Sequence, residues 1–147
     1  MQTLSIICPH CHKNNTIANE VKQKHIPCSH CHEALESTLP IDVSDEIAKI
    51  HISENDIPVL IDFYSPSCEP CMKMAPDYES AAKGCALEVR FLKIDTSVHQ
   101  ELARQYGVNQ LPTLIAFNKS QELNRFSNAL SQNQIKMWAE SLIQMVI

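Results

Sequence analysis

Glycine is nearly missing from this 147-residue chain: Gly84 and Gly107 are the only two. That excludes a glycine-rich loop of the kind that cradles a dinucleotide or a triphosphate, so no NAD or flavin site is expected on this chain. Long hydrophobic runs are also missing, and none approaches the ~20 apolar residues of a membrane-spanning helix. Leu4-Ser5-Ile6-Ile7 is too short for the apolar region of a secretory signal, and no Lys or Arg precedes it. The expectation is a cytoplasmic protein without a membrane partner. Positive charge is scarce too. The net charge is −5, residues 1–36 balance to zero, and residues 37–147 carry the whole excess. A nucleic-acid module needs a basic face, and neither part has one.

Cysteine, by contrast, is abundant: the chain has seven. Six fall into three Cys-x-x-Cys pairs, and the pairs differ in setting. Cys8-Pro9-His10-Cys11 and Cys28-Ser29-His30-Cys31 are separated by 16 residues. Two such pairs at that spacing point to a metal site of four thiolates. Four protein ligands leave no open position, so the expected Zn²⁺ is structural. The nearby His10, His12, His25, His30 and His32 are expected to face solvent or to support the ligands. A pair of redox disulfides is the competing reading, and a reducing compartment disfavours it. The first 36 residues have too little apolar content to fold unaided, which makes a metal the natural staple. Glu36-Ser37-Thr38 reads as a linker.

The third pair, Cys68-Glu69-Pro70-Cys71, follows the apolar run Val59-Leu60-Ile61-Asp62-Phe63-Tyr64. A strand running into a helix that opens on two cysteines is a redox dithiol arrangement. Cys68, at the helix start, would be the attacking thiolate, stabilised by free N–H groups and the helix dipole. Cys71, one turn on, would resolve the mixed disulfide. A third metal pair or two buried thiols would be the bland alternative. Asp62 interrupts a buried strand, where desolvation raises a carboxyl pKa. Glu69 sets a negative charge between the thiols and would disfavour the thiolate. Cys85 reads as a buried, idle thiol, and His51 and His99 have no motif around them.

The remaining pattern predicts helices over 45–53, 68–83 (with Pro76 expected to kink it), 97–106 and from Ser131 onward. It predicts strands over 57–64, 88–94, 113–117 and 122–126, with a turn at Asn118-Lys119-Ser120-Gln121. Interleaved strands and helices make an α/β layer with at least one parallel crossover.

Residues 59–76, Val59 through Cys68-Glu69-Pro70-Cys71 to Pro76, resemble the active-site segment of the thioredoxin family. Tyr106-Gly107-Val108-Asn109-Gln110-Leu111-Pro112-Thr113-Leu114 resembles that family's cis-proline segment. With the cysteine-rich segment in front, the chain is similar to the thioredoxin 2 type of that family. The resemblance implies an α/β thioredoxin fold over 39–147, a central mixed sheet flanked by helices, behind a small zinc-ribbon-like segment at 1–36. It implies a protein-disulfide reductase, acting on oxidised protein substrates and recharged by a thioredoxin reductase that carries the nicotinamide and flavin. Asp62 would be the proton acceptor for Cys71. Pro112 would be the cis-proline, with Leu111 and Pro70 beside it on the substrate surface. Monomer is the default expectation. The alternative is a zinc-dependent protein-binding module on the same scaffold.

Several positions depart from the family pattern. Ser67 and Glu69 stand where Trp and Gly are usual, and Tyr64 replaces a Trp. Ser127-Asn128-Ala129 replaces a glycine-rich loop. The lysine that often neighbours the buried acid aligns with Phe91, and Lys93 lies two positions on.

Overall fold

The computed structural model describes residues 2–21 and 25–145. Lys22 and Lys24, counted in the charge balance above, lie outside them. Five strands form the main sheet in the order β3 (Ile41–Asp42), β5 (Arg90–Asp95), β4 (Val59–Tyr64), β6 (Thr113–Asn118), β7 (Gln121–Phe126). β3, β5 and β4 run parallel, whereas β6 and β7 join antiparallel, so the sheet is mixed. β4 is central and all six of its residues are buried, which is why its sequence reads as an almost unbroken apolar run.

Helices cover both faces. α2 (Glu69–Ala82) and α4 (Gln132–Met145) bury Met74, Tyr78, Ile135, Trp138 and Leu142 against Leu60, Phe91 and Leu114. α1 (Asp45–Glu54) and α3 (Glu101–Gln105) bury Ala48, Ile52 and Leu102 against Ile61, Phe63, Leu92 and Phe117 on the opposite face. Alternate residues of β4 and β5 therefore serve two separate cores, as the two-residue period of a strand requires. None of the helices described is long and apolar enough to cross a membrane.

Local chemistry sets the helix ends. The Ser44 hydroxyl accepts from Ile47 N at 3.2 Å and starts α1. α4 starts with a reciprocal cap: Ser131 Oγ accepts from Gln134 N and Gln134 Oε1 accepts from Ser131 N. α2 runs through Pro76 without interruption. The helix expected over 97–106 is reduced to Glu101–Gln105. The Asp95 carboxylate takes Ser97 N at 2.9 Å and the Ser97 hydroxyl at 2.6 Å, locking a turn where helix was expected. The β6–β7 hairpin turns on Lys119 and Ser120, both in left-handed conformations (φ 49° and 71°), as a tight primed turn demands.

The cysteine-rich segment contains a two-stranded antiparallel sheet, β1 (Thr3–Ile7) with β2 (Asn14–Ala18), and it packs on the main body. Ile6, Ile17 and Leu35 share a buried cluster with Ile57 and Leu87. Residues 36–38 are not a free linker. Glu36 accepts from Ile26 N at 3.1 Å, and Ser37 O accepts from the Arg90 guanidinium at 3.0 Å.

Candidate active site and metal centre

β4 delivers the chain to a tight turn just past Tyr64. Ser67 N donates to Ser65 Oγ and Cys68 N to Ser65 O, which fixes the entry into α2. Cys68 is the N-cap of that helix, with extended backbone angles (φ −87°, ψ 109°), and its Sγ accepts from Cys71 N at 3.2 Å. Pro70 stands in the first turn, where its missing N–H costs nothing. Cys68 and Cys71 are joined as a disulfide, with Cα atoms 5.3 Å apart. Cys68 is half-buried and Cys71 buried, so the first sulfur is the one solvent and a partner can reach.

The Leu111–Pro112 peptide bond is cis. Thr113 pairs with Phe63 across β6 and β4. That register sets Leu111–Pro112 at the edge of the sheet where β4 gives way to the Ser65–Cys68 turn. Pro112 is buried and Leu111 half-buried. The loop standing in for the glycine-rich one lies alongside: Gln110 Nε2 donates to Ser127 O, and Thr113 Oγ1 to Ser127 Oγ at 3.3 Å.

Asp62 is 1% exposed, and its Oδ1 has no hydrogen-bond partner among the described residues. Burial pushes its carboxyl up to about 7, against the pull of Lys93 and reinforced by Asp42. The strand register pairs Asp62 with Lys93, not with Phe91. Phe91 turns into the core against Tyr78, ring centroids 5.1 Å apart. The Lys93 ammonium lies 4.5 Å from the centroid of the Tyr64 ring. The Tyr64 hydroxyl in turn donates to Asp42. The aromatic that replaces Trp is thus tied to β3, two strands away across β5, and carries the Lys93 ammonium on its face.

The four cysteines of the N-terminal segment converge, with all four sulfurs within 4.8 Å of one another. Cys8 and Cys31 Sγ are 3.6 Å apart, as are Cys11 and Cys28 Sγ. A tetrahedral metal with M–S bonds of about 2.3 Å requires sulfurs about 3.8 Å apart, so the cluster fits such an ion. Two equivalent knuckles build it. His12 N donates to Cys8 O and His32 N to Cys28 O, and both histidines are left-handed (φ 65° and 69°). Backbone N–H groups aim at the sulfurs, His10 N at Cys8 and His30 N at Cys28, each at 3.3 Å. Burial pushes the Cys8 thiol up to about 12. Cys28 is also desolvated, yet donors from Cys31, Asn15 and His30 bring it down to about 5.

Sequence patterns missed the contacts that seat this cluster on the main body. Ile7 N donates to Asn55 Oδ1 at 2.8 Å and Ser5 N to Asp56 Oδ2 at 2.7 Å. His12 Nδ1 lies 3.1 Å from His51 Nε2, and His51 Nδ1 lies 3.0 Å from Asn55 Nδ2. Burial pushes His51 down to about 3, helped by Arg90 and His12, so its ring stays neutral. Arg90, 3% exposed, reaches Ile7 O, Leu35 O and Ser37 O. A buried histidine and arginine with no local motif are the only sequence signs of this interface. Cys85 is buried under α2, with burial pushing it up to about 11, and takes no part in either centre.

Comparison with known proteins agrees with this geometry. The thioredoxin family model matches residues 40–141. Thioredoxin C-3 of Corynebacterium nephridii is 35% identical over 139 residues, 95% of each chain, so the likeness extends into the cysteine-rich segment. Thioredoxin 1 of a Nostoc species is 30% identical over 98 residues, 67% of this chain and 92% of its own. Among solved structures, a point mutant of thioredoxin from Halobacterium salinarum superposes with a TM-score of 0.66 at 30% identity, covering 72% of this chain and 92% of that one. The chain belongs to the thioredoxin family, and with its Cys68–Cys71 pair it is a thiol–disulfide oxidoreductase.

Proposed function

We propose that this protein reduces disulfides of other proteins through Cys68 and Cys71 and is recharged by a thioredoxin reductase. Residues 39–147 form the catalytic domain in this reading, and residues 1–36 the metal-binding segment. The observation that carries the reading is the pairing of a half-buried Cys68 at the α2 N-terminus with a buried Cys71, served by a strand that carries the buried Asp62.

The Cys68 thiolate, favoured by the free N–H groups of the first turn, attacks one sulfur of the substrate disulfide. A Cys68–substrate disulfide forms, and the other substrate sulfur leaves as a thiolate. Asp62 takes the Cys71 proton. Cys71 then attacks Cys68 Sγ, freeing the second substrate thiolate and leaving the Cys68–Cys71 disulfide. Two electrons pass to the substrate, and the reductase returns two. A carboxylate with a pKa near 7 suits this work, since it can gain and lose a proton at neutral pH. Leu111 offers its backbone to an extended substrate beside Pro112 and Pro70, and Ser127–Ala129 borders the same edge.

Cys8, Cys11, Cys28 and Cys31 would hold Zn²⁺, which supplies a closed, redox-inert clip. Its work is then to fold the first segment rather than to take part in electron transfer.

The test is dithiothreitol-driven reduction of insulin by wild type and by Cys68→Ser. Turnover lost in the variant supports the catalytic reading. Wild-type turnover no faster than dithiothreitol alone rejects it.

A further inference from the structure

Arg90 stands at the first position of β5 with no carboxylate beside it. Its guanidinium donates to three carbonyls, Ser37 O at 3.0 Å, Leu35 O at 3.1 Å and Ile7 O at 3.4 Å, and its Nε has no partner among the described residues. Carbonyl dipoles solvate a buried cation but do not neutralise it. A buried charge without an opposite charge is strongly destabilising, so it calls for a counter-ion nearby. Among the described residues no ion pair includes Arg90. Ile7, one of its acceptors, directly precedes Cys8. Leu35 packs in the cluster that also holds Cys8, Cys28, Cys11 and Cys31. Through these two carbonyls the guanidinium is held against the backbone that flanks Cys8 and against the cluster that contains all four cysteines.

The cysteine centre has the converse problem. A dication bound by four thiolates carries a net charge of −2, and this one is largely buried.

We propose that Arg90, contributed by the main sheet, is the counter-charge of the four-thiolate metal centre, so that metal affinity is set in part by a residue outside the cysteine segment. This rests on the reading that Cys8, Cys11, Cys28 and Cys31 hold a metal. The same guanidinium ties the segment to β5, so metal occupancy and docking are two sides of one interaction. Loss of the metal leaves Arg90 buried against carbonyls alone.

A merely structural Arg90, valued for its donors, makes a different prediction from a counter-charge. Glutamine donates without charge, and lysine keeps the charge while giving up the fork. The full-length chain as wild type, Arg90→Lys and Arg90→Gln is titrated with Zn²⁺ against a competing chelator at fixed pH. Arg90→Gln should bind Zn²⁺ about tenfold to hundredfold more weakly than wild type, the range for partners outside the ligand set, and Arg90→Lys should recover most of that loss. Equal affinities in the lysine and glutamine variants, or a glutamine variant matching wild type, overturn the proposal. Should Arg90→Gln not fold, Arg90→Lys decides alone: affinity within about tenfold of wild type upholds the counter-charge, and a larger loss overturns it. A wild-type chain that binds no Zn²⁺ overturns the metal reading itself, and this inference with it.

Discussion

Asp62 and Lys93 face one another across the parallel pair β4 and β5, with the Lys93 ammonium held over the Tyr64 ring. The carboxyl is raised because it is buried, and Lys93 limits how far. Two pH predictions come from this pair.

Asp62 has a folded pKa of about 7, above its ordinary value of 3.8. The folded state therefore holds a proton that the unfolded state has released between those pH values. Its contribution to stability is fully present below pH ~4, is lost as pH rises towards ~7, and is constant beyond. The shift corresponds to a loss on the order of 4 kcal/mol at high pH. Urea unfolding at pH 5 and pH 8 should show wild type losing much of this, and Asp62→Asn losing far less. At pH 8 the variant should be the more stable protein, although slower in insulin reduction. Equal pH slopes in the two proteins would refute the assignment.

Lys93→Met removes the one positive group pulling that carboxyl down. The pH range over which stability falls should then extend upward, by about one unit for the loss of an opposite charge on the neighbouring strand. The same variant should shift the pH dependence of insulin reduction in the same direction. The unchanged profile of Lys93→Met would mean that the ammonium spends its time on Tyr64 rather than on Asp62.

The sequence made the two centres legible because both are written in short local spacings. Cys-x-x-Cys after a buried strand and two Cys-x-x-Cys knuckles survive any uncertainty about register. Strands β4 to β7 and helices α1, α2 and α4 were legible from periodicity and caps. What escaped depends on contacts far apart in the chain. Arg90 meets Ile7 from 83 residues away, and nothing around either residue marks the meeting. Lys93 became the neighbour of Asp62 only through strand register. α3 was overestimated because the Asp95 side chain captures the amide and hydroxyl of Ser97. The seating of the cysteine segment was invisible because it joins backbone groups of Ser5 and Ile7, and the His12 ring, to side chains about 40 or more residues away, with no local spacing to mark them.

His12 and His32 occupy equivalent left-handed positions at the ends of the two knuckles. Such a backbone favours glycine, and a non-glycine residue there costs on the order of 1 kcal/mol. The two differ in that His12 also meets His51. His32→Gly should leave the metal-loaded protein equally stable or raise its stability by up to about 1 kcal/mol. His12→Gly should lower it, because His51 is left with a buried ring nitrogen unpaired. Denaturant midpoints of the two variants check the contrast. A matching gain in both would show that the His12–His51 contact contributes nothing.

Glu69 lies between the two cysteines, but its carboxylate is 3.0 Å from the Lys73 ammonium one turn along α2. Both side chains are more than three-quarters exposed, so the solvent screens them as well. Glu69→Gly should move the Cys68–Cys71 couple towards a more oxidising potential, since the thiolate loses a like charge. The partial neutralisation by Lys73 should keep that move within about 30 mV. Lys73→Gln should shift the couple in the opposite direction, because it unmasks the carboxylate. Equilibration of each variant against a glutathione buffer gives the potentials. A shift to more reducing values in Glu69→Gly would mean that Glu69 acts on the dithiol through the helix start rather than through its charge.

Metal removal should separate the two centres. The cysteine segment contacts Asn55, Asp56, Ile57 and Arg90, at the entry ends of β4 and β5, whereas the dithiol follows the exit end of β4. Six strand residues at about 3.3 Å each put roughly 20 Å of buried strand between them. Stripping the metal with a chelator should lower the thermal midpoint, because Ile57, Leu87 and Arg90 lose their cover. Below that midpoint, insulin reduction should proceed at nearly the wild-type rate. A rate that collapses in still-folded, metal-free protein would show that strain passes along β4 from one centre to the other.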